Sequence, residues 1–201
     1  MMIKKRILNN LFIAFINEKP NFDYFSLEQV HGDDVYFVED LKGKNEVRGD
    51  GLITKSGKVL CVKTADCIPL VVLTYNPYFY GIFHVGWRGL FGGIIKKGIQ
   101  KFINSGFKPS DLFIYLGPSI CSYCYEVGEE FTKFDRQFLF FRNGKYFYDL
   151  RGKCVYELLR LGIKNIDISE FCTYESDYFP SYRKKRGEKI YNCVMPLKFS
   201  N

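Results

Sequence analysis

The chain is organised around residues 64–89, which read TADCIPLVVLTYNPYFYGIFHVGWRG. Two runs of β-branched and aromatic residues, 70–74 and 79–83, are separated by the turn signal Asn76-Pro77. This pattern predicts two buried strands joined by a turn. Such a pair would bring Cys67 and His84 to the same edge of one sheet, and His31 would complete a His/Cys/His cluster if its segment meets them.

Composition favours one globular domain spanning residues 1–201. The 201-residue chain is 47% hydrophobic, which is ordinary for a protein with a sizeable core. No apolar run reaches the roughly 18 residues that a membrane span needs, and the N-terminus lacks a signal-peptide pattern. Seven scattered cysteines favour reduced thiols. We therefore expect a cytoplasmic protein with no membrane contact.

The net charge of +7 fits either a nucleic acid or a small anionic substrate. The densest basic run, Arg183-Lys184-Lys185-Arg186, lies beside Tyr178 and Tyr182, so an RNA-stacking patch is conceivable. A solvated loop is the favoured interpretation, because the run lacks a nucleic-acid motif. Nucleic acid is therefore the less favoured partner of this run, and the charge by itself leaves a phosphate or nucleotide substrate equally open.

The order of patterns along the chain predicts a mixed α/β domain. The apolar run 7–16 indicates a first strand or edge hairpin, and further strands are predicted at 52–54 and 59–64. Apolar residues from Leu90 to Asn104 recur at helical spacing, which predicts one helix ending near Gly106. Later segments predict strands at 111–116, 163–168, 171–173 and 190–195, with short helices near 129 and before Gly162.

Several side chains of the central stretch could act on a ligand. The predicted helix would place its free amides beside residues 84–89, where an anion is favoured. Asp66 and Arg88 flank the candidate ligands and fit either catalysis or a salt bridge that holds the loop. Trp87 fits either the core or a surface that stacks on a planar base.

His31, Cys67 and His84 each lie at a predicted junction of strand and loop. A thiolate and two imidazoles leave a fourth tetrahedral position open, as in a catalytic zinc site. Two satisfied histidines and a buried thiol are the structural alternative. The cluster would use both histidines of the chain, which tips the balance toward a functional site.

Two other chemistries use the same residues. Copper also accepts a His₂Cys set, but it usually adds an axial methionine, and the methionines are at positions 1, 2 and 195. A multicopper site would need more than two histidines, so zinc is favoured. Without a metal, Cys67 could act as a nucleophile with His84 as its base and with Asp66 or a backbone carbonyl as the orienting group.

Cys121 and Cys124 form a C-x-x-C pair that could be redox-active or bind a metal. A zinc ribbon needs a second such pair, and the sequence has none. We therefore expect a structural role, with residues 124–126 lining or supporting the site.

The sequence resembles the bacterial laccase-domain family, also called the polyphenol oxidoreductase or peptidoglycan-editing-factor family. The resemblance runs from about residue 26 onward and rests on seven motifs in the family's order. They are Gln29-Val30-His31-Gly32, Gly49-Asp50-Gly51-Leu52-Ile53-Thr54, Thr64-Ala65-Asp66-Cys67-Ile68-Pro69, His84-Val85-Gly86-Trp87-Arg88-Gly89, Leu116-Gly117-Pro118-Ser119-Ile120, Cys124-Tyr125-Glu126-Val127, and Phe171-Cys172-Thr173 with Ser181-Tyr182-Arg183.

This resemblance implies an α/β (α+β) fold of mixed β-sheets flanked by helices, related to toxin deamidases that use a Cys/His pair. It implies zinc on His31, Cys67 and His84. The implied activity is phosphorolysis of adenosine, inosine, guanosine and methylthioadenosine, with phosphate as co-substrate, together with adenosine deamination. The family's laccase label conflicts with a chain that has only two histidines.

The implied reactions assign further roles. Deamination needs a proton shuttle, for which Asp66 is the candidate, and phosphorolysis needs cations that stabilise phosphate. The expected catalytic residues are Cys67, Asp66 and Arg88. The expected substrate-binding residues are Gln29, Arg48, Trp87 and Arg183.

Two departures from the family predict a changed substrate preference. The family's N-terminal Thr-Thr-Arg segment has no counterpart ahead of Gln29, and its Gly-Arg pair near the C-terminus reads Arg186-Gly187-Glu188-Lys189 here.

Two alternative functions stay open: a hydrolase that edits peptidoglycan precursors with the same Cys/His site, and a non-catalytic module that binds metal or RNA. We expect a monomer or a small homo-oligomer.

Overall fold

The computed structural model describes residues 2–6, 11–16, 18–41, 47–185 and 189–196. Its strands are β1 (Met2–Arg6), β2 (Leu11–Ile16), β3 (Val35–Phe37), β4 (Gly51–Thr54), β5 (Leu60–Thr64), β6 (Ile68–Leu73), β7 (Tyr80–Val85), β8 (Phe113–Leu116), β9 (Glu126–Val127), β10 (Leu139–Arg142), β11 (Lys145–Tyr148), β12 (Asn165–Ile168) and β13 (Ile190–Pro196). Its α-helices are α1 (Trp87–Gly92), α2 (Ile94–Asn104), α3 (Phe131–Phe134) and α4 (Leu150–Arg160).

The two strands expected in the central stretch form the middle of a six-stranded mixed sheet with the order β12-β8-β6-β7-β4-β3. Strands β6 and β7 are antiparallel, and every residue in both is buried. Their register sets Pro69 opposite His84 and Ile68 opposite Val85. Cys67, which immediately precedes β6, therefore lies next to the end of β7.

Two further layers cover this sheet. A four-stranded antiparallel sheet, β1-β2-β13-β5, packs on one face, where Val71 and Leu73 point into its core. Helices α1, α2 and α4 pack on the opposite face, against Leu70 and Val72. A three-stranded sheet, β10-β11-β9, lies beside this second core. The expected mixed α+β fold is confirmed, and the alternation along β6 explains how one strand serves two cores.

The structure corrects three sequence-based boundaries. The helix predicted over 90–104 is two helices, because Gly93 adopts φ 97°, a left-handed conformation that ends α1 and that glycine tolerates best. The strand predicted at 171–173 is a single bridge between Ser119 and Cys172. The first strand pair is a hairpin of β1 and β2, and residues 7–10 of the predicted run lie outside the described residues.

The expectation of reduced thiols is wrong for one pair of cysteines. Cys61 in β5 and Cys193 in β13 form a disulfide. The antiparallel register places these two residues directly opposite each other, with their Cα atoms 4.1 Å apart. Positions so far apart in sequence meet only because β13 inserts between β2 and β5.

Among the residues that the structure describes, no helix has the length and apolar character of a membrane span. The longest, α2 and α4, have 11 residues each. A span of the hydrocarbon core needs about 20 residues.

The contact between α2 and β7 gives a first prediction. A Cβ added at Gly98 would overlap the buried ring of Phe83. Overpacking of this kind costs about 1 to 3 kcal/mol, while the higher helix propensity of alanine returns up to about 1 kcal/mol. We expect Gly98→Ala to lower the free energy of unfolding by about 1 to 2 kcal/mol in urea denaturation.

The exposed Lys96→Ala on the same helix is the control, and we expect it to change stability by less than about 0.5 kcal/mol. Equal stability of Gly98→Ala and the wild type would contradict the close packing of α2 on β7.

Candidate metal centre

Three chemically active side chains from distant parts of the chain meet at the edge of the six-stranded sheet. Ligand atoms of His31, Cys67 and His84 lie within 4.8 Å of one another. The two imidazole rings are nearly perpendicular, with centroids 4.8 Å apart. His84 is buried, whereas His31 and Cys67 are half-buried. The cluster therefore faces solvent on one side and the core on the other.

Backbone conformation helps to aim these ligands. His84 is fixed within β7, while His31 and Asp66 lie in loops and have φ angles of 58° and 83°. Left-handed conformations are uncommon for residues other than glycine and cost of order 1 kcal/mol or more. At His31 and Asp66 this cost is offset by hydrogen bonds that hold the two loops, described next.

Asp50 connects the loop of His31 to the ring of His84. Its carboxylate is fully buried and accepts hydrogen bonds from the backbone N–H groups of Val30, His31 and Gly32, at 3.1, 3.1 and 2.7 Å. It also lies 2.7 Å from Nδ1 of His84. Nδ1–H of His84 donates to this carboxylate, which leaves Nε2 facing the cluster. A carboxylate that orients a histidine in this way is typical of metal sites.

In the sequence Asp50 stood out only as part of a family motif, and Asp66 was the residue expected to orient His84. The carboxylate that orients His84 is Asp50 instead. The available signal was an aspartate between two glycines directly before the apolar Leu52-Ile53. Charged residues are rarely fully buried without partners, so an acid at the start of a buried strand indicates a specific counterpart.

The electrostatics of the metal-free cluster favour a thiolate. Burial by itself raises the pKa of Cys67, but hydrogen bonds from His31 and His84 outweigh it and lower the pKa to about 6. Burial lowers the pKa of His84, but its hydrogen bonds to Asp50 and Cys67 outweigh that effect and raise the pKa to about 9. Burial also acts to raise the pKa of Asp50, whose hydrogen bonds instead lower it. Thiolates are the form of cysteine that binds metals and attacks electrophiles.

Gly86 packs closely against the cluster. A Cβ at this position would lie 3.1 Å from Sγ of Cys67 and 3.4 Å from Cδ2 of His31, so a larger residue would press on both candidate ligands. Gly86 is also the residue before α1, and α1 and α2 together replace the one helix expected over 90–104. The absence of a side chain at Gly86 lets the start of α1 approach the candidate ligands.

Asp66 fastens the loop of Cys67 to the C-terminal part of the chain. Its Oδ1 accepts a hydrogen bond from Thr173 Oγ1 at 2.7 Å, and its Oδ2 accepts one from the backbone N–H of Arg183 at 2.8 Å. The exposed guanidinium of Arg183 lies 5.2 Å from the centroid of the Tyr125 ring. Tyr125 is buried, and its pKa is raised to about 12, first by burial and then by the charge of Cys67. Asp66, Arg183 and Tyr125 therefore adjoin the cluster.

Trp87 and Arg88 open α1 next to Gly86. The Arg88 guanidinium lies 4.5 Å from the centroid of the Trp87 ring. The same ring packs on Phe91, Phe131 and Phe134. Trp87 is thus part of an aromatic cluster, while Arg88 is exposed.

Gln29 and Arg48 occupy positions around the loop of His31. The side-chain amide of Gln29 donates to the carbonyl of Lys63 at 2.8 Å and accepts from its N–H at 2.7 Å, so it pairs with the edge of β5. Arg48 forms an exposed ion pair with Glu28, with Nε and Oε1 3.6 Å apart. A substrate-binding role for these two residues stays a prediction.

The fold and a His₂Cys cluster held by a buried carboxylate define the class of protein. Over residues 7–192 the chain matches the family described as multi-copper polyphenol oxidoreductase laccase. The chain belongs to this family, as its motifs predicted.

The chain is similar in fold to a solved structure and similar in sequence to two named proteins. The crystal structure of Neisseria meningitidis protein NMB0706 has a TM-score of 0.83 at 20% identity, over 97% of this chain and 98% of that one. A protein named purine nucleoside phosphorylase from Aquifex aeolicus is 39% identical over 171 residues, which are 84% of this chain and 81% of that protein. One named adenosine deaminase RL5, from an unknown prokaryotic organism, is 33% identical over 136 residues, or 62% of this chain and 52% of that protein.

The position of Asp50 generates a second prediction. Asp50→Asn removes the negative charge that orients His84 and replaces an acceptor oxygen with an NH₂ group. Loss of such a supporting carboxylate typically costs about 10- to 100-fold in metal affinity. We expect a loss of that size for zinc, measured by competition with a chromophoric chelator, and circular dichroism will show whether the fold persists.

Asp34→Asn is the matched control, because Asp34 is exposed and lies on the same segment as His31. Equal zinc affinities of Asp50→Asn and Asp34→Asn would show that Asp50 does not support the cluster.

Proposed function

We propose that the protein is a metal-dependent enzyme that acts on purine nucleosides in the cytoplasm. It would cleave adenosine, inosine, guanosine and methylthioadenosine with inorganic phosphate, and it would deaminate adenosine. The observation that carries the proposal is the convergence of His31, Cys67 and His84 at the edge of the six-stranded sheet. The names of the relatives from Aquifex aeolicus and the unknown prokaryote support the substrate class.

The donor set fits zinc. Three protein ligands with an open fourth position are the arrangement of a catalytic zinc site. Asp50 accepts a hydrogen bond from the ring of His84, as a carboxylate behind a histidine ligand does in such sites. His31, Cys67 and His84 would hold the ion. Bound there, zinc would supply Lewis acidity that lowers the pKa of a water molecule or polarises an oxygen of the substrate. A copper cluster of the oxidase type would need more histidines than the two in this chain.

Phosphorolysis requires cations that hold phosphate against C1′ of the ribose while the purine leaves. Arg183 and Arg88 are exposed guanidinium groups on segments that adjoin the cluster. Arg183 is held at its backbone by Asp66, and its exposed guanidinium lies over Tyr125 beside the cluster. We assign phosphate binding to these two arginines, with Arg183 in the leading role.

Deamination requires a group that moves a proton near C6 of the purine. Asp66 is our candidate, since it is a buried carboxylate directly before Cys67 in the chain. Its hydrogen bond from the backbone N–H of Arg183 gives Asp66 a second task, which is to position Arg183. Trp87, Gln29 and Arg48 would shape the surroundings of the substrate.

An assay on purified protein of known metal content tests the proposal. Adenosine with phosphate should give adenine, hypoxanthine and ribose 1-phosphate together with inosine, whereas adenosine without phosphate should give inosine only. Cys67→Ala should lose the metal and at least 100-fold of both activities, a loss of about 2.7 kcal/mol or more in transition-state stabilisation. The control is Cys154→Ala, which removes a buried thiol outside the cluster.

Two outcomes would refute the proposal. One is wild-type activity in Cys67→Ala, and the other is a metal-loaded wild type that leaves every purine nucleoside unchanged. Activity that depends on Cys67 in protein without a transition metal would instead identify a free Cys/His dyad.

The assignment of Arg183 gives a separate prediction. We expect Arg183→Ala to raise the KM for phosphate about tenfold, because a charge-assisted hydrogen bond to the anion is lost. The rate of deamination should change much less. The neighbouring Lys184→Ala removes the same charge and serves as the control, so equal effects of the two variants on KM would point to net charge alone.

A further inference from the structure

A second group of metal-ligating side chains lies outside the centre described above. The Sγ atoms of Cys121, Cys124 and Cys172 and a carboxylate oxygen of Glu175 lie within 4.8 Å of one another. The sequence has no second C-x-x-C pair that could complete a zinc ribbon with Cys121 and Cys124. The partner is Cys172-x-x-Glu175, in which a glutamate takes the place of the fourth cysteine.

Each half of this group is a tight turn. The carbonyl of Cys121 accepts hydrogen bonds from the N–H groups of Cys124 and Tyr125, both at 3.1 Å. The carbonyl of Cys172 accepts one from the N–H of Ser176 at 2.9 Å. In each turn the first and fourth side chains therefore come to the same side. Two ligands separated by two residues, presented from two such turns, are the usual construction of a structural zinc site.

Hydrogen bonds within the protein hold the two turns together. The N–H of Thr173 donates to the carbonyl of Ser119 at 3.0 Å, and the N–H of Cys121 donates to Sγ of Cys172 at 3.3 Å. Arg151 adds hydrogen bonds to the carbonyls of Ser119 and Phe171, which lie one or two residues before the cysteines. The ligand-bearing segments are thus placed before any ion binds.

The polar atoms of the group face one another. Sγ of Cys124 donates a hydrogen bond to Oε1 of Glu175 at 3.4 Å, and Sγ of Cys172 accepts one from the N–H of Cys121 at 3.3 Å. Cysteine sulfur atoms beside a carboxylate are a donor set that zinc binds, with release of the thiol protons.

We propose that Cys121, Cys124, Cys172 and Glu175 form a second metal site, which binds a zinc-class divalent cation with all four positions occupied by protein. Ligands about 2.0 to 2.3 Å from a tetrahedral zinc lie about 3.3 to 3.8 Å apart, so the widest separations in the group would shorten by at most about 1 Å. The set is rich in thiolate, which disfavours magnesium and calcium. With no open position, the ion is structural.

The second site would order the loops beside the first one. Ile120, next to Cys121, donates its N–H to the carbonyl of Asp66 at 2.9 Å, and Thr173, next to Cys172, donates its hydroxyl to the Asp66 carboxylate. Tyr125, which follows Cys124, lies under Arg183. A metal on the four ligands would fix both loops against the residue that precedes Cys67. This inference does not depend on the proposed reaction.

Metal content tests the second site in the full-length protein. The wild type, purified without chelator, should contain two equivalents of zinc per chain by mass spectrometry of the elements. Cys67→Ala and Cys124→Ser should each contain one, and Cys154→Ala should keep two. In cobalt-reconstituted protein, Cys67→Ala should retain the intense thiolate-to-cobalt charge-transfer absorption, whereas Cys124→Ser should lose most of it.

Stability gives a readout that is independent of activity. Removing the remaining metal from Cys67→Ala with a chelator should lower its Tm, because an ion that binds only the folded state stabilises it. Glu175 is exposed, so Glu175→Ala will keep the fold, and we expect it to weaken cobalt binding by at least tenfold.

The proposal is overturned by a single equivalent of zinc in the wild type that disappears in Cys67→Ala. It is also overturned if mass spectrometry of the alkylated protein shows a disulfide among Cys121, Cys124 and Cys172. Unchanged cobalt affinity in Glu175→Ala would remove the fourth ligand and the closed site with it.

Discussion

The carboxylate of Asp50 is the constraint on which the candidate centre depends. A fully buried charge costs several kcal/mol unless it is paired and hydrogen-bonded, and this one has three backbone N–H donors and an imidazole as partners. The same contacts fix the left-handed turn at His31 and the orientation of His84. Asp50 thus fixes the positions of two of the three candidate ligands, His31 and His84.

The central sheet supplies the other half of that geometry. Because β6 and β7 are buried on both faces, a slip of their register by one residue would exchange side chains between two packed cores and disrupt both. The register holds Cys67 beside His84, and Gly86 lets the start of α1 pack against them. The buried strands fix His84 and the start of the loop of Cys67, while Asp66 and Arg183 lie in the loops that surround them. This division of labour is common in enzymes, where a stable scaffold positions variable loops.

Asp66 joins the two metal-ligating groups. It precedes Cys67 in the chain, and it accepts hydrogen bonds from Ile120, Thr173 and Arg183, which lie in or next to the loops of the three-cysteine group. Arg151 ties the same loops through their carbonyls. A structural ion in the second group would therefore set the position of Arg183 and Tyr125 at the first one. The two proposed sites would differ chemically, because the first would have an open position and the second would have none.

The sequence by itself determined the elements whose signal is local. Alternating apolar residues and the Asn76-Pro77 turn predicted β6 and β7, and the residue types at 31, 67 and 84 indicated a possible metal site. Local patterns could not show the break at Gly93, since helical spacing continues across it, nor the roles of Asp50 and Glu175, whose partners lie far away in the chain. The disulfide between Cys61 and Cys193 depends on the order of the strands in the sheet. The proximity of Cys124 to Cys172 depends on contacts between their loops. Only the tertiary structure decided them, because burial and long-range hydrogen bonds, rather than neighbouring residues, bring those side chains together.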